Sequence, residues 1–421
     1  MTTPDGSLHE LDRTLREGVA LHDAGRFEGA LALYDTALIR WPEAPLLWNN
    51  RATTLLETAR FEEAAASYRM ALQLVPKLHD ARVALATCLQ ALGRVEEALA
   101  ETETVLAQAP DHAEAHWNRA LVLLLTGRYA EGWREYEWRW RKRRFTSPPR
   151  RFVQPVWQGE DPAGRTILIH AEQGFGDTLQ FCRYLPLLCE RGATVLFECH
   201  PPLAPLMATL DPRIQVYPMG SPLPAFDCHL PLLSLPLWFN TTATTIPAAI
   251  PYLTPPADRL PFWRSLLPQD GSLRVGLCWA GKPYPDPGRS IPADLLAPLA
   301  ALPGITFVSL LIGEGQTAPP LPLTDLTVLI RDFADTAALI AQLDLVVTID
   351  TAVAHLAGAL GKPVLVLLPC APDWRWGLAG EQCPWYPTAR LYRQERRGAW
   401  SDVLEQLVRD LRLLRQTRQG C

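Results

Sequence analysis

Asp350-Thr351-Ala352-Val353-Ala354-His355 lies between two apolar runs, 345–349 and 363–368. The pattern predicts strand, helix, strand, with Asp350 capping the helix and Gly361 stopping it. Thr351 and His355 stand four residues apart and share one face near the helix start. Unpaired backbone N–H groups and the helix dipole favour an anion there, so a phosphate-bearing ligand is the expected chemistry. A satisfied cap beside a surface histidine would fit the same residues. A second set, Glu172-Gln173-Gly174-Phe175-Gly176-Asp177, follows the apolar run 166–170. Gly174 and Gly176 allow a tight turn or a close approach of backbone to ligand. Asp177 then either caps the next helix or, as a carboxylate at a cleft edge, takes a proton from an acceptor hydroxyl.

Ala280-Gly281-Lys282-Pro283 and Gly288-Arg289-Ser290-Ile291 flank a turn-rich loop. Arg289 offers a fork and Lys282 a point charge, a pair able to hold a diphosphate. No two aspartates stand in D-x-D spacing to hold a bridging Mg²⁺. No metal and no cofactor is therefore expected. Pro372-Asp373-Trp374-Arg375-Trp376-Gly377 and Pro384-Trp385-Tyr386 form an aromatic cluster. It could stack a base or sugar, or pack the closing helix.

These sets need a scaffold, and the sequence offers two kinds. At a period of 34 residues Gly25, Ala59, Gly93 and Gly127 align, as do Ala30, Ala64, Ala98 and Gly132, and Tyr34, Tyr68, Thr102 and Tyr136. Pro42, Pro76 and Pro110 close the first three units. This is the tetratricopeptide pattern, a helical solenoid over residues 8–145 whose concave face suits a protein or peptide partner. The array could instead only brace the neighbouring domain. Pro148, Pro149 and Pro155 mark a linker over 146–164. Strands and helices then alternate through a first α/β half, 165–255, and a second, 270–417, with proline-rich sequence between them. The expected fold is an α-helical solenoid followed by two Rossmann-type α/β domains with a cleft between them.

With 48% hydrophobic and 20% charged residues, the 421-residue chain reads as globular and multidomain. A net charge of −5 argues against nucleic acid as the main partner. One basic strip carries Arg139, Arg141, Lys142, Arg143, Arg144, Arg150 and Arg151 among Trp138, Trp140 and Phe145. It fits an RNA-binding surface or, as expected here, a solvated helix end meeting the next domain. Nine scattered cysteines without C-x-x-C spacing suit a reducing compartment. No signal peptide and no membrane-crossing run is evident, which points to the cytoplasm.

The chain resembles bacterial proteins that join tetratricopeptide repeats to a glycosyltransferase-like GT-B domain and, more distantly, the ADP-heptose lipopolysaccharide heptosyltransferases. The carrying segments are 131–140, 170–177, 289–292, 350–356, Trp374-Arg375-Trp376 and Tyr392-Arg393-Gln394. The resemblance implies a metal-independent, inverting sugar transfer from a nucleotide-diphosphate donor. It places Asp177 at the general-base position. It places Asp350, Thr351 and His355 where the family holds the donor's diphosphate and ribose; with Ala352, and with Gly174, Gly176, Lys282 and Arg289 read above, they make up the expected donor-binding set. Ala352 stands where that family commonly has glycine, and Arg289 where it has lysine. The rival expectation is a non-catalytic adaptor whose GT-B domain is vestigial or only senses nucleotide.

Overall fold

The computed structural model describes residues 4–282, 287–313 and 317–419, so Pro283 of the cationic loop lies outside the described residues. The chain divides into two compact units, Met1–Thr126 with Arg134–Phe145, and Gly127–Trp133 with Thr146–Cys421.

The first unit is built of antiparallel helix pairs: α1 (Pro4–Asp23) with α2 (Phe27–Arg40), α3 (Pro45–Glu57) with α4 (Phe61–Leu74), and α5 (His79–Ala91) with α6 (Val95–Gln108). Then come α7 (Ala113–Leu125) and α8 (Tyr129–Tyr136). The 34-residue spacing has a physical cause at each landmark. Gly25, Ala59 and Gly93 turn the chain between paired helices at φ of 71°, 57° and 73°, a region glycine enters without penalty. Ala30, Ala64 and Ala98 are fully buried where helices cross, and Tyr34 and Tyr68 fill the gaps beside them. The repeat solenoid read from the sequence is thus present.

The basic strip is solvated in part: Arg141, Arg143, Arg144 and Arg151 are exposed, while Arg139 is not. Arg139 is fully buried, pairs with Glu137 at 2.6 Å and lies over the Tyr136 and Trp140 rings. Lys142 lies over Trp117, Arg141 over Trp138, and Arg143 reaches Asp80 and Glu114. Asp80 and Glu114 lie far upstream in sequence and only the fold brings them to the strip. Arg150, in the second unit, pairs with the buried Glu198.

The second unit contains two parallel sheets. The first, in the order β3-β2-β1-β4, is formed by β1 (Thr166–His170), β2 (Thr194–Cys199), β3 (Gln215–Pro218) and β4 (Cys228–Pro231). Between these strands run α9 (Phe175–Phe181), α10 (Leu185–Glu190) and α11 (Ala204–Met207), and α12 (Leu235–Trp238) follows β4. α13 (Leu260–Ser265) precedes the second sheet, ordered β10-β9-β8-β5-β6-β7. Its strands are β5 (Leu273–Cys278), β6 (Ile305–Ser309), β7 (Leu323–Thr324), β8 (Leu345–Ile349), β9 (Val364–Leu368) and β10 (Ala389–Arg393). Helices α14 (Phe333–Ala341), α15 (Ala352–Ala359) and α16 (Trp400–Gln419) cover it. β8 and β9 are buried on both faces, which is why they read as unbroken apolar runs.

The strand orders decide where a ligand fits. Each sheet reverses direction at its first strand, β1 and β5, and a crevice opens beyond the carboxyl ends of the strands at such a switch point. The described residues there are 171–174 after β1, 279–282 and 287–289 after β5, and Asp350-Thr351 after β8. They carry the three sets of chemistry-bearing residues.

Ala59 holds a left-handed turn that glycine fills in the neighbouring repeats. Replacing Ala59 by Gly should stabilise the first unit by about 0.5–1 kcal/mol, and Gly93→Ala should destabilise it by a similar amount, since a Cβ at residue 93 meets nothing within 4 Å. Urea unfolding of the full chain measures both, and a stability loss in Ala59→Gly would contradict the assignment.

Candidate functional site

The site is assembled where α9 and α15 cross. A Cβ on Gly176 would stand 2.8 Å from His355 Cδ2 and 3.7 Å from Ala352 Cα, so the crossing requires glycine at residue 176. Gly176 and Ala352 therefore face each other across a helix contact. Gly174 caps α9 and donates its N–H to Asp177 Oδ2 at 2.8 Å.

Asp177 does more than cap. Its Oδ1 accepts Arg375 Nη2, from the short turn Trp374–Trp376 between β9 and β10. The rest of the Arg375 guanidinium is also engaged: Nη1 donates to Asp373 at 2.9 Å and Nε to Gln180 Oε1 at 2.7 Å. Burial pushes the Asp177 carboxyl above its usual range, while Arg375 and the Gly174 N–H pull it back. Each carboxylate oxygen keeps a further lone pair for an incoming donor.

At the start of α15 the cap is Thr351, whose Oγ1 accepts the Val353 N–H at 3.2 Å. This corrects the expectation for Asp350. Its side chain is turned instead toward Arg375, Arg289, Asp373 and Trp376, and burial pushes its carboxyl up to about 6, with Asp373 adding to the rise and the two arginines opposing it. Arg289 lies alongside: Nη1 donates to the Asp350 carbonyl at 3.3 Å and Nη2 to the Lys282 carbonyl at 3.0 Å. The buried Arg289 Nε has no hydrogen-bond partner among the described residues. A Cβ on Gly281 would lie 3.3 Å from Thr351 Cγ2 and 3.5 Å from Arg289 Nη2, so the loop after β5 is drawn tightly against the helix start. Lys282 is exposed at its rim.

His355 is buried rather than a surface histidine. Its ring stacks on Trp376 at 5.4 Å and 22°, and Nδ1 lies 2.9 Å from the Tyr386 hydroxyl. Burial first, then Arg375 and Arg183, push its pKa well below the ordinary value, so the ring is neutral.

Trp374, Trp376, Trp385 and Tyr386 are fully buried. Trp374 meets Trp133 edge-on at 5.3 Å, and Trp385 meets Phe181 at 5.7 Å. The cluster thus packs on α9 and α8 and is closed to a base. Sequence reasoning placed Asp373, Arg375 and Tyr386 only within the aromatic cluster, without individual roles, and did not single out Gln180. One signal was available: Asp373 two residues before Arg375 is a turn cap, its carboxylate accepting the Arg375 N–H at 3.0 Å. Among the described residues no three His, Cys, Asp or Glu side chains converge as a metal-ligand set.

Comparison with known proteins agrees with this architecture. Residues 15–79 and 55–122 match tetratricopeptide repeat families, and residues 328–397 match glycosyltransferase family 9 (heptosyltransferase). The family 9 segment includes Asp350, Thr351, His355, Arg375 and Tyr386. The chain is 29% identical over 324 residues to Protein FlbA of Caulobacter vibrioides, covering 70% of this chain. It spans about half the length of that relative, 54%. Similar solved structures include YrrB, a TPR protein (21% identity, 30% of this chain and 64% of that one, TM-score 0.28). Another is the second TPR domain of human RPAP3 in complex with an HSP70 peptide (25% identity, 28% and 98%, TM-score 0.27). The chain carries N-terminal tetratricopeptide repeats and a C-terminal segment that matches glycosyltransferase family 9, within a GT-B-like pair of α/β halves.

A carboxyl whose folded pKa exceeds its unfolded value, here about 6 against roughly 3.9, favours the fold only while protonated. That contribution is present below about pH 4 and lost as pH rises through 6. Asp350→Asn should therefore be about 1–3 kcal/mol more stable than wild type near pH 8, with the gap closing below about pH 4. Thermal unfolding across that range measures it, and a wild type that is the more stable at pH 8 would refute the assignment.

Proposed function

We propose that the chain is a glycosyltransferase moving a sugar from a nucleotide-diphosphate donor to a protein or glycan acceptor, by a metal-independent, inverting displacement. The observation that carries this reading is the convergence, around Arg375, of Asp177 from the first half and the anion-favouring start of α15 from the second. The family 9 match supports the activity class.

In this mechanism the diphosphate lies at the positive end of the α15 dipole, between Arg289 and Lys282. The acceptor oxygen attacks the anomeric carbon from the face opposite the leaving group. Its proton passes to Asp177 as the new C–O bond forms, while the bond to the donor phosphate breaks and its electron pair leaves on the phosphate oxygen. Arg289, Lys282, the helix start and a hydrogen bond from His355 stabilise that departing charge without a divalent ion. The buried Arg289 Nε, without a hydrogen-bond partner among the described residues, supports a ligand oxygen there.

The repeats, in this reading, recruit the protein acceptor or a partner on their concave face. Free thiols at all described cysteines, and the lack of a described helix long and apolar enough to cross a membrane, support a reducing, cytoplasmic setting.

Two measurements test the proposal. ADP-, UDP- and GDP-sugars screened by thermal shift should include one that raises stability by about 2.7 kcal/mol at 100 times its dissociation constant, with or without EDTA. Asp177→Asn should then lower turnover at least about 100-fold while donor affinity stays within a few-fold. Binding with no turnover on any acceptor would favour the adaptor, and near-normal turnover in the variant would remove Asp177 from the chemistry.

A further inference from the structure

Tyr386 has no part in the mechanism above, yet its surroundings are tightly specified. The ring is fully buried beneath α15, and a Cβ on Gly358 would stand 2.3 Å from Tyr386 Cδ1, so the helix approaches only because residue 358 is glycine. Arg183 lies over the other side of the ring, 4.7 Å from its centroid. Neighbouring Tyr252 donates its own hydroxyl hydrogen to the Leu179 carbonyl at 2.8 Å and accepts Arg183 Nη2 at 2.9 Å. The Tyr386 O–H can turn either to the Tyr252 hydroxyl oxygen, which already accepts Arg183, or to His355 Nδ1, 2.9 Å away and the stronger acceptor.

The direction of that hydrogen bond follows from the chemistry of the pair. A phenol is a stronger donor than a neutral imidazole N–H, and a bare imidazole nitrogen is a stronger acceptor than a phenol oxygen. The nearby Arg183 cation draws electrons from the phenol and strengthens it further as a donor. Tyr386 therefore donates, His355 Nδ1 accepts, and the one N–H of the neutral ring is on Nε2. Nε2 lies 4.0 Å from Asp350 Oδ1, beyond hydrogen-bond reach, and bonds to no described residue. Trp376 on one face and Gly176 at the ring edge hold the imidazole in this orientation.

We infer that Tyr386 is a positioning residue, one that locks His355 in the Nε2–H tautomer and aims an uncharged donor at the space beside Asp350. Resting on the nucleotide-sugar reading, this N–H addresses an oxygen of the nucleoside diphosphate at the start of α15.

The test is long-range ¹H–¹⁵N NMR of the full chain labelled at histidine, with the His355 signals identified by their loss in His355→Gln. Wild type should show a protonated Nε2 and a bare Nδ1. Tyr386→Phe, which keeps the ring packed under Gly358, should populate both tautomers and weaken ADP, UDP or GDP binding about tenfold, the order of one lost hydrogen bond. A wild-type ring protonated on Nδ1, or unchanged tautomers in a folded Tyr386→Phe, would overturn the inference. Should the variant fail to fold, the wild-type ring signature decides. An Nε2–H ring in a chain that binds none of ADP, UDP and GDP would uphold Tyr386 as the lock and defeat the nucleotide-sugar reading instead.

Discussion

The Asp177–Arg375 ion pair is the constraint on which the site depends. It joins the first turn of α9 to the turn after β9, so that two separate sheets share one largely buried charge pair. Withdrawing two such charges from water is expensive, and their attraction repays the cost only when the remaining donors are also satisfied. Gln180 and Asp373 take the other donors of Arg375, and the Gly174 N–H takes the second oxygen of Asp177. Deleting one member would leave the others as uncompensated buried charge, a far larger loss than an exposed pair would cause.

That arrangement also explains the aromatic wall around it. Trp374 and Trp376 flank Arg375 in sequence and are buried on either side of the short turn, one against Trp133 and the other against His355. Arg393 reinforces the turn by donating to the carbonyls of Trp376 and Gly377 at 2.6 and 2.9 Å. The turn is therefore held by packing and by backbone hydrogen bonds, and the guanidinium emerges at a fixed place.

Most of the fold was legible because the signals are local. Glycine or alanine at each left-handed turn, small residues at helix crossings and apolar runs on doubly covered strands each leave a mark at short range. The site was legible only in part. The sets at 174–177, 289 and 350–355 could be recognised singly, but pairings such as Arg375 with Asp177, 198 residues apart, exist only once both sheets are built. Thr351 against Asp350 as the cap shows the same limit, since both are good capping types and tertiary charge decided between them. In the basic strip the solvated arginines were legible, but the burial of Arg139 and the pairing of Arg143 with the distant Asp80 and Glu114 were not. The two-residue strand β7 left no periodicity to read.

The raised carboxyl of Asp350 has a further consequence. A polyanion settling beside it would draw a hydrogen ion out of solution onto that group. The heat of association would then include the ionisation enthalpy of whatever buffer gave up the ion. Calorimetry in Tris and in phosphate would give different apparent enthalpies for one and the same complex.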